Sequence, residues 1–319
     1  MKGLDELITH IDPGRGLLIQ AHDFPDHDAV ACAYALGLLL GSRGIENGLC
    51  YGGTIQSNSL DQTIRLLEIP ISALSDLSVP ESTQLIVVDG FVGNKNVTGL
   101  ALDVIGVIDH HEPPDAPATP YFDIRPEYGS CSTILYQYYK AAGVELAPNT
   151  ATMLLMGIMM DTAFMTRGVA PVDMEAFSDL FFRGDWETGS RLLKNSLSLS
   201  DLSVFREAIN SCVVADDFCF VPVQKECTPE VMALVADFFL GLREIHFVVV
   251  LEPDRDAYRL SVRSEDNARP ADVVIRRALS GIGSGGGHVH MGGGSIPRDL
   301  FPGEQSLRNR FLRAMGRED

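Results

Sequence analysis

The sequence predicts an α/β protein in which an N-terminal parallel-sheet domain is followed by a smaller C-terminal α/β domain. Three observations carry this. Short unbroken apolar runs such as Gln84–Val88 alternate with longer helical patterns through the first half of the chain. Acidic and histidine residues stand just past the ends of those runs, where open α/β sheets gather their ligands. The length, 319 residues, suits about two domains, and the texture changes at a Ser/Asp-rich stretch after residue 195. The expected division is 1–195, a linker helix at 196–214, and 215–319.

In order, Gly16–Ala21 reads as a buried strand, followed by the polar loop HDFPDHD and a helix over Ala29–Leu40. A short strand at Ile45–Tyr51 precedes a helix at Leu60–Leu67. Gln84–Val88 is a buried strand ending in Asp89-Gly90, and Asp103–Ile108 is another, ending in Asp109-His110-His111. Ser130–Ala142 reads as a helix with Ser130 or Ser132 as its cap. Helical patterns continue over Asn149–Met160, Val172–Phe182 and Trp186–Asn195, and Ser196–Asn210 forms the expected linker. Beyond it come strand Phe218–Val223, helix Pro229–Leu240, strands Glu244–Leu251 and Ala257–Val262, helix Pro270–Leu279 and a glycine-rich segment.

Composition narrows the function. Apolar residues make up 45% and charged residues 21%, so the chain is neither disordered nor fibrous. A net charge of −18 opposes binding of duplex DNA or anionic lipid. No apolar run reaches the ~20 residues that span a bilayer. The acids and Pro13 of MKGLDELITHIDPG do not make a signal peptide. The six cysteines lack metal-finger spacing and read as reduced thiols, which places the protein in the cytoplasm.

The chemistry concentrates in four places: His22 with Asp26 and Asp28; Asp89; Asp109-His110-His111; and Asp161. Each alone has a plain reading. Asp28 would serve as a helix cap, and Asp89-Gly90 as a tight turn. Together, at successive strand ends, they suggest hard-to-borderline ligands for Mn²⁺, Mg²⁺, Fe²⁺ or Co²⁺. So many carboxylates repel one another unless cations join them, and two divalent ions ~3.5–4 Å apart are the usual clamp for phosphoryl displacement.

HDFPDHDA (His22–Ala29), VVDG (Val87–Gly90), DHH (Asp109–His111), GIMMDT (Gly157–Thr162) and GGGHVHMGGG (Gly285–Gly294) stand in one order, and with them the chain resembles the DHH phosphoesterase family. The resemblance runs from about residue 15 to 297. It implies two divalent ions, Mn²⁺ foremost, with His22, Asp26 and Asp89 on one and Asp28, Asp89, His110 and Asp161 on the other. It implies that Asp109 orients a histidine ring, a strand-end turn being the equal alternative, and that His111 faces the substrate phosphate. The resemblance further implies Arg263, Ser264, Gly286, Gly287 and His288 as substrate binders on the second domain, facing the metals across a cleft between the two domains. Arg167 is a further candidate for a phosphate contact, with a surface arginine as its plain reading. His27 and His290 receive no role.

Within the family, the layout resembles the oligoribonuclease/phosphoadenosine-phosphate phosphatase branch. The expected substrate is a short single-stranded oligonucleotide or a small nucleotide such as 3′-phosphoadenosine 5′-phosphate, not duplex DNA and not a membrane. A homodimer is the expected assembly. The alternatives are hydrolysis of inorganic pyrophosphate, polyphosphate or a linear or cyclic dinucleotide, and a nucleotide-binding module that keeps the fold without turnover.

Overall fold

The computed structural model describes residues 3–93, 97–112, 118–194 and 197–317. It divides into two compact units, Met1–Ser196 and Leu197–Asp319. Asn195 and Ser196, the expected junction, lie outside the described residues.

The first unit comprises α1 (Leu4–Ile8), β1 (Leu17–Ala21), α2 (His27–Gly41), β2 (Gly48–Tyr51), α3 (Asn58–Leu66), β3 (Ile71–Ala73), β4 (Gln84–Val88), β5 (Asp103–Asp109), β6 (Tyr121–Ile124), α4 (Cys131–Ala142), α5 (Pro148–Asp161), α6 (Pro171–Arg183) and α7 (Trp186–Lys194). Its six strands lie in the order β3-β2-β1-β4-β5-β6, all parallel. The chain runs outward from β1 in one direction and restarts at β4 in the other. The β1/β4 boundary is therefore the switch point, where neighbouring connections leave toward opposite edges and open a crevice.

β1 and β4 are buried along their whole length, which explains their unbroken apolar sequences. Ile19, Ile86 and Val88 pack with α2, α4 and α5 in the main core. Leu18, Leu85 and Val87 face a smaller cluster closed by Leu74, Leu77, Leu100 and Leu102 from the connections.

The second unit holds α8 (Leu202–Ser211), β7 (Val213–Ala215), β8 (Phe218–Pro222), α9 (Pro229–Leu240), β9 (Phe247–Pro253), β10 (Ala257–Ser264), α10 (Ala271–Leu279), β11 (Ser284–Gly287), β12 (Met291–Pro297) and α11 (Glu304–Ala314). The sheet order is β11-β12-β10-β9-β8-β7, with only β8 and β9 parallel. Period-2 alternation sorts its side chains. Phe218, Phe220, Phe247 and Val249 meet α10 and α11 on one face. Cys219, Val221, Val248 and Val250 meet α8 and α9 on the other.

Several elements differ from the sequence reading. α2 begins at His27, not Ala29, because Asp26 caps it, accepting from the Ala29 amide at 3.0 Å. Asp28 therefore lies inside the first turn and is not the cap. The helix expected as a linker is α8, whose Val204 and Ala208 pack into the core of the second unit. The glycine segment is not an open turn: β11 and β12 form an antiparallel hairpin. Among the described residues, all six cysteines are free thiols, and no helix is long and apolar enough to cross a membrane.

Candidate metal centre

Because β1, β4 and β5 are adjacent, the residues just past their ends fall side by side. Parallel strands lie about 4.8 Å apart, so His22, Asp89 and His110 become neighbours despite their sequence separation. The N-terminus of α2 adds Asp26 and Asp28, and the C-terminus of α5 adds Asp161. Three sets of donor atoms each lie within 4.8 Å of one another: His22, Asp26 and Asp89; Asp28, His110 and Asp161; and Asp89, His110 and His111. The six side chains singled out as ligands thus meet in one place, with His111 beside them.

The spacing suits shared ligation. His22 Nε2 is 3.7 Å from Asp26 Oδ2 and 3.6 Å from Asp89 Oδ2. His110 Nε2 is 3.6 Å from Asp89 Oδ1 and 3.1 Å from Asp161 Oδ2. Donors each about 2.1 Å from a common cation stand roughly 3–4 Å apart, further than most hydrogen-bonded pairs. Asp89 Oδ1 is buried and has no hydrogen-bond partner among the described residues, a costly state for a carboxylate oxygen that nothing compensates.

Backbone contacts fix which ring nitrogen faces the cluster. His22 Nδ1 lies 2.9 Å from the Asp23 carbonyl, and His110 Nδ1 lies 3.3 Å from that of Tyr128. A carbonyl only accepts, so we assign the proton to Nδ1 in both rings, leaving Nε2 as the ligand atom. Asp28 is held by the start of α4, accepting from the Cys131 amide at 2.7 Å and the Ser132 amide at 2.9 Å. Gly157 lets α5 come this close to α2: a Cβ there would stand 2.6 Å from Asp28 Oδ1 and 2.4 Å from Ser132 Oγ.

Asp109 works on both histidines. Its Oδ1 accepts from the His110 amide (2.7 Å), the His111 amide (3.0 Å) and His111 Nδ1 (2.8 Å). It therefore acts both as a turn former and as the orienting group of the His111 ring.

The electrostatics call for positive charge. Burial holds the Asp89 carboxyl well above the usual carboxylate range, reinforced by Asp28 and Asp26. Burial and then Asp28 do the same to Asp161, and burial raises Asp28. Burial works against a charge on His22, but Asp26 and Asp89 outweigh it and push this imidazole up to about 10. Proton and metal compete for the same Nε2, so surroundings that would retain a proton there equally favour a cation.

Backbone strain gathers at the same place. Seven non-glycine residues among those described have left-handed φ: Phe24, Glu68, Asp89, Ala163, Phe164, Met165 and Asp216. Asp89 is one of them, Phe24 lies between His22 and Asp26, and Ala163, Phe164 and Met165 follow Asp161 after Thr162. Each such residue costs about 1–3 kcal/mol, and such costs cluster at functional sites.

Each remaining candidate is placed within its own unit. Arg167 follows the strained turn, its amide donating to the Thr162 carbonyl at 3.2 Å, and is not among the donor sets. In the second unit, Arg263 Nε donates to Asp237 at 2.7 Å, and Ser264 Oγ donates to the carbonyls of Asp266 and Arg269. Gly286 and Gly287 lie in β11, the His288 amide donates to the Met291 carbonyl at 2.7 Å, and His290 Nδ1 meets the Ser264 carbonyl at 3.0 Å.

One supporting residue escaped the sequence reading. Buried Asp173 accepts from the amides of Gly129 (2.9 Å) and Ala170 (2.7 Å) and from the Thr133 hydroxyl (2.5 Å), fixing the turn that presents the α4 amides to Asp28. The signal for it was Pro171 followed by an acid in the first turn of α6.

Carboxylates and imidazoles converging at the switch point of a parallel sheet form a candidate divalent-metal centre. Residues 17–158 match the DHH family, N-terminal domain. The chain is 28% identical over 313 residues to the uncharacterized protein MJ1633 of Methanocaldococcus jannaschii, covering 94% of this chain and 64% of that protein. It is 29% identical over 154 residues to a probable manganese-dependent inorganic pyrophosphatase of Streptococcus pyogenes, covering 47% of this chain and 49% of that one. The chain thus spans 64% and 49% of the length of these two relatives. The crystal structure of an exopolyphosphatase-related protein from Bacteroides fragilis shares the fold, with a TM-score of 0.78 at 18% identity over 94% of this chain and 92% of that one.

Proposed function

We propose that this chain is a divalent-metal phosphohydrolase acting on nucleotidic phosphate, either at the ends of short single-stranded oligonucleotides or on a small nucleotide such as 3′-phosphoadenosine 5′-phosphate. The observation that carries the reading is the pair of donor triads at one strand-end cluster, with Asp89 Oδ2 near His22 and Asp89 Oδ1 near His110. His22, Asp26 and Asp89 would hold one ion. Asp28, Asp89, His110 and Asp161 would hold a second. The four carboxylates carry four negative charges when ionised, which two divalent cations balance. Mn²⁺ is favoured by the donor types and by the name of the streptococcal relative.

When bound, such ions acidify water and neutralise the charge that grows on a phosphoryl group in displacement. The chain's own residues do the rest. Asp109 fixes the His111 ring through Nδ1–H, so that with the ring doubly protonated Nε2–H would pass its proton to the departing ester oxygen and leave the neutral imidazole. Asp89, Asp161 and Asp28 define where the phosphate can sit by repelling anions from every position that a cation does not screen. In the second unit, Arg263, Ser264, Gly286, Gly287 and His288 are the proposed substrate binders, and in the first unit Arg167 is a proposed phosphate contact. The free thiols suit a reducing compartment, the cytoplasm in our reading.

A second reading, hydrolysis of inorganic pyrophosphate or polyphosphate, is favoured by the names of the streptococcal and Bacteroides proteins. A substrate panel separates the two: short RNAs, 3′-phosphoadenosine 5′-phosphate, linear dinucleotides, pyrophosphate and polyphosphate, each with Mn²⁺. Our reading expects turnover of the nucleotidic substrates. Turnover confined to the inorganic substrates favours the second reading, and none on any substrate defeats both.

A further inference from the structure

Phe24 combines two features that a purely structural residue avoids. It holds a left-handed backbone (φ 54) immediately before Pro25, a position where proline favours extended conformations, and it is 51% exposed. Burial of its ring therefore does not repay the strain. The conformation is nonetheless firmly held. The Phe24 amide donates to the Gly52 carbonyl at 3.0 Å. The neighbouring Asp23 carboxylate accepts from the Thr98 amide at 3.0 Å and the Thr98 hydroxyl at 2.7 Å.

The ring itself rests on glycine. A Cβ on Gly53 would stand 2.8–3.0 Å from three ring carbons of Phe24, so this contact is open only because Gly53 lacks one. Gly52 repeats the point, since its Cβ would fall 1.8 Å from Asp23 Oδ1. The ring is thus pinned against backbone and partly open to solvent. Gly52 and Gly53 follow the end of β2, the neighbour of β1, and Phe24 lies two residues from both His22 and Asp26. A fixed apolar plane therefore stands at the rim of the metal centre. The coincidence of strain and exposure recurs at Phe164 (φ 58, 39% exposed), three residues after Asp161.

The geometry points to Phe24 as a stacking platform for a nucleobase attached to the phosphate being hydrolysed. The inference rests on the phosphohydrolase reading above and deepens it by naming the substrate class. A flat apolar ring recovers free energy against a flat heteroaromatic group and gains nothing from pyrophosphate or polyphosphate, which present only charged oxygens. Phenylalanine has no hydrogen-bonding group, so the platform takes any base.

The test compares kcat/KM, with Mn²⁺, on a 5′-phosphorylated dinucleotide and on the same compound lacking its 5′ base. Phe24→Asn removes the ring while accepting the left-handed backbone; Phe24→Tyr keeps the ring. Stacking on aromatic side chains corresponds to about 5- to 150-fold per base. The ratio of the two kcat/KM values should fall by that order in Phe24→Asn and stay within twofold in Phe24→Tyr. An unchanged ratio in Phe24→Asn overturns the platform. If Phe24→Asn also loses Mn²⁺ binding by calorimetry, Phe24→Leu, which keeps bulk without a flat face, takes its place under the same criteria. If the wild-type protein turns over neither compound nor any other nucleotidic substrate of the panel, the nucleotidic phosphohydrolase reading has failed on its own. Equilibrium dialysis of AMP then decides the platform: retention by wild type and loss in Phe24→Asn upholds it, and equal behaviour overturns it.

Discussion

Asp109→Asn isolates the orienting carboxylate from the ligands it serves. One oxygen of Asp109 accepts three hydrogen bonds of 2.7, 3.0 and 2.8 Å from the His110 amide, the His111 amide and the His111 ring. Asparagine keeps a carbonyl oxygen for all three but loses the charge, and charge-assisted bonds are roughly twice as strong as neutral ones. At about 1.5–3 kcal/mol for each bond to a charged group, the bond to His111 alone loses about 1 kcal/mol, and the three together about 2–4 kcal/mol. The other oxygen is buried without a hydrogen-bond partner among the described residues, so the new NH₂ group gains nothing in return.

The expected result is a fall in kcat of about 10- to 100-fold, the range typical of lost partners behind metal-site histidines. The effect on KM should be smaller, because Asp109 is not placed against substrate. The assay is steady-state hydrolysis of a short oligonucleotide at saturating Mn²⁺, with calorimetric Mn²⁺ titration of the same variant. A kcat within twofold of wild type would show that the Asp109–His111 contact is only a turn, and would remove His111 from the proposed proton transfer.

Three further outcomes follow from the same structure. Gly157→Ala should weaken Mn²⁺ binding measurably by calorimetry, since the new methyl meets Asp28 at 2.6 Å; overpacking of this kind costs about 1–3 kcal/mol. His288→Ala should impair hydrolysis of a nucleotide more than that of a small artificial phosphodiester, and equal losses would remove His288 from substrate binding. In the second unit, hydrogen bonds from Arg269 and Arg317 hold the Asp217 carboxyl down at about 2. A carboxyl depressed in the folded state stabilises above its unfolded value near 4 and loses that contribution as pH falls toward 2. Allowing for solvent screening, Asp217→Asn should cost about 1–2 kcal/mol at neutral pH by urea denaturation, with the difference from wild type vanishing near pH 2.

Much of this candidate centre was legible because its candidate ligands occupy positions where sequence pattern is strongest. β1 and β4 are buried on both faces, so their apolar runs are unbroken and the polar residue after each stands out: His22 after Ala21, Asp89 after Val88. What escaped lies where pattern and structure part. β11 and β12 are built largely of glycine, which has little strand propensity, and only pairing with β10 shows the segment to be a hairpin. β6 is four residues long, and its buried Asp123 pairs with Arg125 and Tyr138, a network no local pattern announces. The burial of α8 depends on residues far along the chain, so from sequence it resembled a spacer. Asp173 and Gly157 act on Asp28 only through tertiary contact.

The most direct test of the central claim is a count of bound ions. Protein stripped with chelator, dialysed against Mn²⁺ and analysed by elemental mass spectrometry alongside calorimetry should carry two ions per chain. In Asp89→Ala, whose two carboxylate oxygens face His22 and His110, binding of both ions should weaken together and turnover should vanish. Wild-type protein that binds no ion at these six side chains, or Asp89→Ala protein that keeps two ions and activity within a few-fold of wild type, would contradict the shared metal centre.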